Sequence, residues 1–138
     1  MERTFYNEAE LRAFAGEFAR TLRAGDIVAL AGPLGSGKTA FVKAVAATLF
    51  GKDPVTSPTF TFRHRYPGAT PIEHLDFYRI ERSDELDELG LEEAFDGSAI
   101  VMIEWWNNAP EAVPRPRYEI ELQGSGDSPR VLRLRHAT

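Results

Sequence analysis

Cysteine is absent from the 138 residues. Its absence excludes disulfides, thiol nucleophiles and zinc–thiolate sites. Long apolar runs are absent as well, and nothing approaches the roughly 20 residues needed to cross a bilayer. Residues 1–20 carry four acidic groups and lack the basic start and apolar centre of a secretion signal. The expectation is a cytoplasmic chain with no membrane association. An excess of positive charge is also missing. Sixteen Lys and Arg face 21 Asp and Glu, for a formal charge of −5. Broad, non-specific nucleic-acid binding needs a basic face, so this balance argues against it. Only local groups, Arg63-His64-Arg65 and Arg130 with Arg133 and Arg135, run the other way. No repeat, low-complexity stretch or linker divides the chain. It reads as a single domain, 1–138, with 43% hydrophobic residues to build a core.

The stretch 27–50 organises the rest. The apolar run Ile27-Val28-Ala29-Leu30-Ala31 reads as a buried parallel strand. It leads into Gly32-Pro33-Leu34-Gly35-Ser36-Gly37-Lys38-Thr39, which fits G-x-x-x-x-G-K-[ST], a phosphate-cradling P-loop. Ala40 opens a helical segment to Phe50, with Gly51 as its cap. Gly32, Gly35 and Gly37 let the backbone turn until successive N–H groups converge on phosphate. Leu34, Ser36 and Ala40 belong to the same cradle. The helix N-terminus adds its dipole. The Lys38 ammonium reaches the β- and γ-phosphates, and the Thr39 hydroxyl is placed to ligate Mg2+. The lysine is expected to be solvent-accessible, so that it serves binding rather than packing. ATP and Mg2+ are the expected cofactors.

Around that core the pattern predicts a short edge strand at 3–6 and a helix capped by Asn7, with Glu10 as capping-box partner. Leu11, Phe14, Ala15, Phe18 and Leu22 give that helix one apolar face. The backbone near Asn7 and Glu8 is a candidate for contact with the nucleotide base. Residues 59–66 and 72–78 read as an antiparallel hairpin across Pro67-Gly68. The acidic stretch 83–96 reads as two short helices broken at Gly90, with a solvated face that is also a candidate docking surface. Residues 99–104 form a second buried strand, and 118–122 with 130–135 a terminal hairpin.

A P-loop binds phosphate, but hydrolysis needs a second carboxylate for the metal and a group that orients water. Glu104, ending an apolar strand, is one candidate; its alternative is a surface acid at a strand end. Asp76, between His74 and Tyr78, is the other; its alternative is a structural hydrogen-bond acceptor. A GTPase is not supported. Asp87-Glu88-Leu89-Gly90 matches D-x-x-G but lies in the acidic helical segment, and no N-K-x-D stretch exists.

The P-loop, Ser57-Pro58-Thr59-Phe60, His74-Leu75-Asp76-Phe77-Tyr78-Arg79, Glu88-Leu89-Gly90-Leu91-Glu92-Glu93 and Val101-Met102-Ile103-Glu104-Trp105 together resemble the successive motifs of the TsaE (YjeE) family of bacterial P-loop ATPases. The resemblance spans nearly the whole chain. It implies an α/β P-loop NTPase fold, a mixed central sheet with helices on both faces. It implies slow ATP hydrolysis in support of a TsaB–TsaD partner that forms threonylcarbamoyladenosine on tRNA, with tRNA met only through that complex. It also implies site roles. Thr39 and Glu104 would flank Mg2+, Thr59 would sit in a switch-like loop near the γ-phosphate, Asp76 would take part in hydrolysis, and Trp105 would lie beside the nucleotide site. Two positions depart from the family pattern. Ala40 stands where a second threonine is frequent, and Trp106-Asn107-Asn108 stands where a proline or alanine and then an acid are usual. Two other readings share the P-loop: a small-molecule kinase, with Arg115 and Arg117 as lid arginines, and a nucleotide-dependent binding module without meaningful turnover.

Overall fold

The computed structural model describes residues 1–51 and 62–138. Thr59 and the rest of the 57–60 motif lie outside the described residues, as does the start of the strand expected at 59–66.

The chain begins with strand β1 (Glu2–Phe5) and helix α1 (Glu8–Ala19). The Asn7 side chain accepts the Glu10 N–H at 2.9 Å, and the Glu10 carboxylate accepts the Tyr6 N–H. The first bond satisfies a donor that a helix start leaves open and stabilises it by about 1 kcal/mol; the second ties down the residue before the cap, where a capping box would have used the Asn7 N–H. Strand β2 (Ile27–Ala31) feeds the glycine turn, and helix α2 (Lys38–Phe50) leaves it. Strands β3 (Arg63–Tyr66) and β4 (Ile72–Asp76) form the expected hairpin. β4 stops two residues short of expectation, because the Asp76 carboxylate accepts the Tyr78 N–H at 2.9 Å and turns the chain. Strand β5 (Ile100–Glu104) and the terminal hairpin of β6 (Arg117–Gln123) and β7 (Arg130–Ala137) complete the set.

These strands make one sheet in the order β1-β7-β6-β2-β5-β4-β3. The centre, β6-β2-β5-β4, is parallel, and the edge pairings are antiparallel. Alternation along each strand divides the core into two layers. Val28, Leu30, Ile100, Met102 and Ile120 face α1 and α2. Ile27, Ala29, Val101 and Ile103 face the other way, onto Leu86, Leu91, Ala94 and Ala109. Helices therefore cover both faces, but they differ in kind. The acidic stretch forms 3-10 helices, Ser83–Leu89 and Leu91–Phe95, separated by Gly90 at φ 66°. Leu86, Leu91 and Ala94 are its buried anchors, and Asp84, Glu92 and Glu93 stay exposed. Among the described residues no helix is long and apolar enough to cross a membrane.

Candidate nucleotide-binding site

The C-terminal ends of β2, β5 and β4 converge where the chain, after β2, passes to one side of the sheet and later returns on the other. Ligands of open α/β sheets bind in such a crevice. Period-2 alternation decides which side chains arrive there. On β5, Ile100 and Met102 face α2, so Glu104 faces the N-terminus of α2. On β4, Ile72 faces the same layer, and His74 and Asp76 follow it at the same parity. Asp76 pairs in register with Glu104. Two carboxylates thus stand side by side beneath the start of α2.

The glycine loop closes over them. Gly32 has φ 150°, and a side chain there would bring Cβ to 2.3 Å from the Leu122 carbonyl oxygen, so only glycine fits. Gly37, at φ 106°, swings the chain into α2. The Lys38 ammonium donates to the Gly32 and Pro33 carbonyls at 2.6 and 2.9 Å, with Ser36 Oγ at 3.4 Å. It also sits 4.4 Å from the centroid of the Trp105 ring. The lysine is only 4% exposed, which corrects the expectation of an accessible side chain. Burial pulls its pKa down, and the charges of Glu104 and Asp76 work against that pull.

Thr39 and Glu104 are paired across the site. The Thr39 hydroxyl lies 2.9 and 3.0 Å from the two Glu104 oxygens. His74 Nε2 approaches Glu104 Oε2 at 2.5 Å, and Tyr66 Oη lies 3.0 Å from His74 Nδ1. A carboxylate only accepts, so Nε2 carries the shared proton and fixes the ring. Burial disfavours the Glu104 carboxylate. The His74 and Thr39 hydrogen bonds, with the charges of His74 and Lys38, outweigh that and hold its pKa below the usual range. Glu104 is thus a buried, ionised, oriented carboxylate rather than a surface acid at a strand end. Thr39 and Glu104 offer hard oxygen donors. Mg2+ takes such donors in small number, with nucleotide phosphates and water completing its shell, so the pair fits that ion.

Asp76 differs from its neighbour. Burial raises its pKa and the Glu104 charge adds to the rise; the Tyr78 N–H, His74 and Lys38 oppose it. A carboxylate with a raised pKa at a phosphate site is poised to take or orient a proton. Trp105 carries φ 58°, a costly conformation for a bulky residue, of order 1–3 kcal/mol. Its N–H donates to Leu30, and its ring packs against Tyr78 at 5.0 Å and over Lys38. The strain places the indole across the cleft.

Leu34, Gly35, Gly37, Lys38, Thr39, Ala40, Asp76, Glu104 and Trp105 line one cleft of about 310 Å³. A neighbouring groove of about 430 Å³ shares Gly37 and Ala40 and runs past Asn7 to Arg130. Ser36 is fully buried, its hydroxyl turned to Lys38. Of the other expected site residues, Asn7 borders the neighbouring groove, and Gly32 and Ser36 shape the loop without lining either depression. The side chain of Asn7 is spent on its helix cap, so that residue can offer the groove only its backbone or edge. A larger concavity, about 550 Å³, lies over β6, β7 and β1. There Arg135 pairs with Glu119 and Arg133 with Glu2.

Sequence reasoning did not assign His74 and Tyr66 to the site. The one available signal is that His74 lies two residues before Asp76 on a strand, hence on the same face. Arg130, which reaches the glycine loop from β7, stands out in the sequence only as part of a basic group with Arg133 and Arg135, and nothing there ties it to the loop.

The family profile described as threonylcarbamoyl adenosine biosynthesis protein TsaE matches residues 5–132. The tRNA threonylcarbamoyladenosine biosynthesis protein TsaE of Bacillus subtilis is 39% identical over 127 residues, covering 91% of this chain and 79% of that protein. The protein of the same name from Rickettsia bellii is 37% identical over 132 residues, covering 93% and 90%. The crystal structure of Bacillus subtilis YdiB superposes with a TM-score of 0.83 at 31% identity, covering 100% of this chain and 86% of that one.

Proposed function

This chain belongs to the TsaE family, and from that footing we propose that it is a Mg2+-dependent ATPase that works with TsaB–TsaD in forming threonylcarbamoyladenosine on tRNA. The observation that carries the hydrolytic reading is the convergence of Thr39, Glu104 and Asp76 at the mouth of the glycine loop. The loop N–H groups and the start of α2 bind the β-phosphate. Lys38 exchanges its carbonyl partners for phosphate oxygens. Thr39 and Glu104 would hold Mg2+, which would supply positive charge against the nucleotide phosphates. His74 keeps the Glu104 carboxylate turned toward Thr39. Asp76 orients water and accepts its proton, and Trp105 covers the site.

The kinase reading loses its lid. Arg117 is buried, donates to Glu119 at 2.7 Å and to the Val113 carbonyl at 2.8 Å, and packs over Trp106 at 4.5 Å. It is committed to holding its own loop. Arg115 lines a separate depression with Pro110 and Glu111.

The reading is tested by a reconstituted tRNA modification assay with and without this protein. Modification by TsaB–TsaD is expected to turn over repeatedly only when the protein and ATP are both present. Alone, the protein is expected to release inorganic phosphate, to modify no tRNA and to bind tRNA poorly, given its −5 charge. Tight, salt-sensitive tRNA binding with no effect on TsaB–TsaD would favour a direct RNA-acting ATPase. Partner stimulation undiminished with a non-hydrolysable analogue would favour the binding module.

Glu104→Gln separates the metal role from the others. It keeps the shape but loses the charge, so the Mg2+ concentration for half-maximal activity is expected to rise by roughly 10- to 100-fold. ADP affinity measured without metal is expected to change little. A Mg2+ titration that superposes on that of the unaltered protein would remove Glu104 from the metal site.

A further inference from the structure

Arg130 opens β7, more than ninety residues from the glycine loop, yet its guanidinium is bonded to that loop. Nε donates to the Ser36 carbonyl at 3.1 Å and Nη2 to the Gly35 carbonyl at 3.2 Å. The remaining donors hold the β6–β7 turn, through Gly126 at 3.0 Å and Ser128 at 2.5 Å. Among the described residues it forms no ion pair, unlike Arg133 and Arg135 on the same strand. It also lines the groove that continues the phosphate cleft past Gly37 and Ala40.

The consequence follows from the planar trans peptide, in which C=O and N–H point in opposite directions. Fixing the Gly35 and Ser36 carbonyls toward Arg130 aims the Ser36 and Gly37 N–H groups away from it. The Ser36 N–H donates to the Pro33 carbonyl at 3.1 Å, closing the turn of the loop, and the Gly37 N–H is the donor that a phosphate would use. Without the fork, peptides flanked by Gly35 and Gly37 are free to rotate, because glycine tolerates both signs of φ. A planar, five-donor cation can bridge two loop carbonyls and two turn carbonyls at once; an ammonium cannot. Its unpaired charge also raises the local potential for a polyphosphate.

We propose that Arg130 is the positioning residue of the phosphate loop, a clamp from the C-terminal hairpin that presets the loop N–H groups for a nucleoside polyphosphate. The inference rests on the nucleotide-binding reading above. It makes the terminal hairpin a working part of the site.

The test is calorimetric binding of ADP and of a non-hydrolysable ATP analogue to the full chain, with steady-state ATP hydrolysis and thermal melts alongside. Arg130→Ala is expected to raise both dissociation constants about tenfold or more. kcat at saturating ATP should stay within roughly threefold, since the clamp serves binding rather than chemistry. Arg130→Lys should fall between, having the charge without the fork. Arg133→Ala, an equal loss of charge on the opposite face of β7, should bind as the unaltered chain does. The rise in melting temperature produced by ADP should shrink in Arg130→Ala. A lower melting temperature with an undiminished ADP-induced rise, or ADP affinity within about twofold of the unaltered chain, overturns the clamp while leaving the nucleotide reading intact. If Arg130→Ala does not fold, Arg130→Lys decides: unchanged affinity overturns the proposal and weakened affinity supports it. Failure of the unaltered chain to bind ADP overturns both.

Discussion

Lys38→Ala is expected to weaken binding of ATP and ADP by at least about thirtyfold. Removing one partner of a buried, charge-assisted contact costs roughly 2–5 kcal/mol, and each 1.4 kcal/mol is a factor of ten. The burial of Lys38 adds a consequence that an exposed lysine would lack. Its ammonium satisfies the Gly32 and Pro33 carbonyls, and alanine leaves both to find water or rearrange. An unsatisfied buried acceptor costs about 1–3 kcal/mol. The lysine itself pays for desolvation, however, which its lowered pKa records, and that offsets part of the loss. The variant is therefore expected to fold with a melting temperature lower by a few degrees, about what 1 kcal/mol produces in a domain of this size. Calorimetry reads the affinity, and circular dichroism the fold and melting temperature. An unchanged ADP affinity in a folded variant would exclude the loop as a phosphate site.

Asp76→Asn is expected to move activity and stability in opposite directions. Turnover at saturating ATP and Mg2+ should fall about 100-fold or more, the usual share of a positioned general base. Stability at neutral pH should rise. The sign follows from linkage. The folded-state pKa of Asp76 is raised, so between the unfolded value and the raised value the native state holds more protons than the unfolded one. Stability then falls as pH climbs through that window, and above the raised value the penalty is fully present. Asparagine removes it. It also retains the oxygen that accepts the Tyr78 N–H, so the turn after β4 survives. A purely structural acceptor predicts the same gain in melting temperature with turnover kept. Unchanged kcat would therefore return Asp76 to that role.

Much of the site was legible because its chemistry is local. The spacing of Gly32, Gly37, Lys38 and Thr39 lies within eight residues, and the apolar runs on either side state which elements flank it. Glu104 was legible from its place at the end of an apolar run, because a charge following four buried residues has to emerge at a strand end. The edges were less so. The chain between Ser83 and Phe95 carries leucines at helical spacing, but a left-handed Gly90 and a few anchors on the sheet favour the tighter 3-10 form.

The amino-acid order alone supplies the parts: a glycine loop of P-loop spacing, the Thr39 hydroxyl that follows it, a carboxylate at the end of an apolar run, and an acidic excess of charge. What only the tertiary structure decided is which side chains share a space. That Asp76 lies beside Glu104 depends on β4 and β5 pairing in parallel and in that register. That His74 and Tyr66 orient Glu104, and Arg130 holds Gly35 and Ser36, depends on contacts between residues 8, 30 and more than 90 positions apart. The burial of Lys38 depends on where the Trp105 ring and the loop carbonyls come to rest. Patterns of period 2 and 3.6 report which face a residue takes, because they arise from backbone geometry within a few residues. They are silent on which strand lies alongside, because that is settled by packing the whole sheet against its two layers of helices.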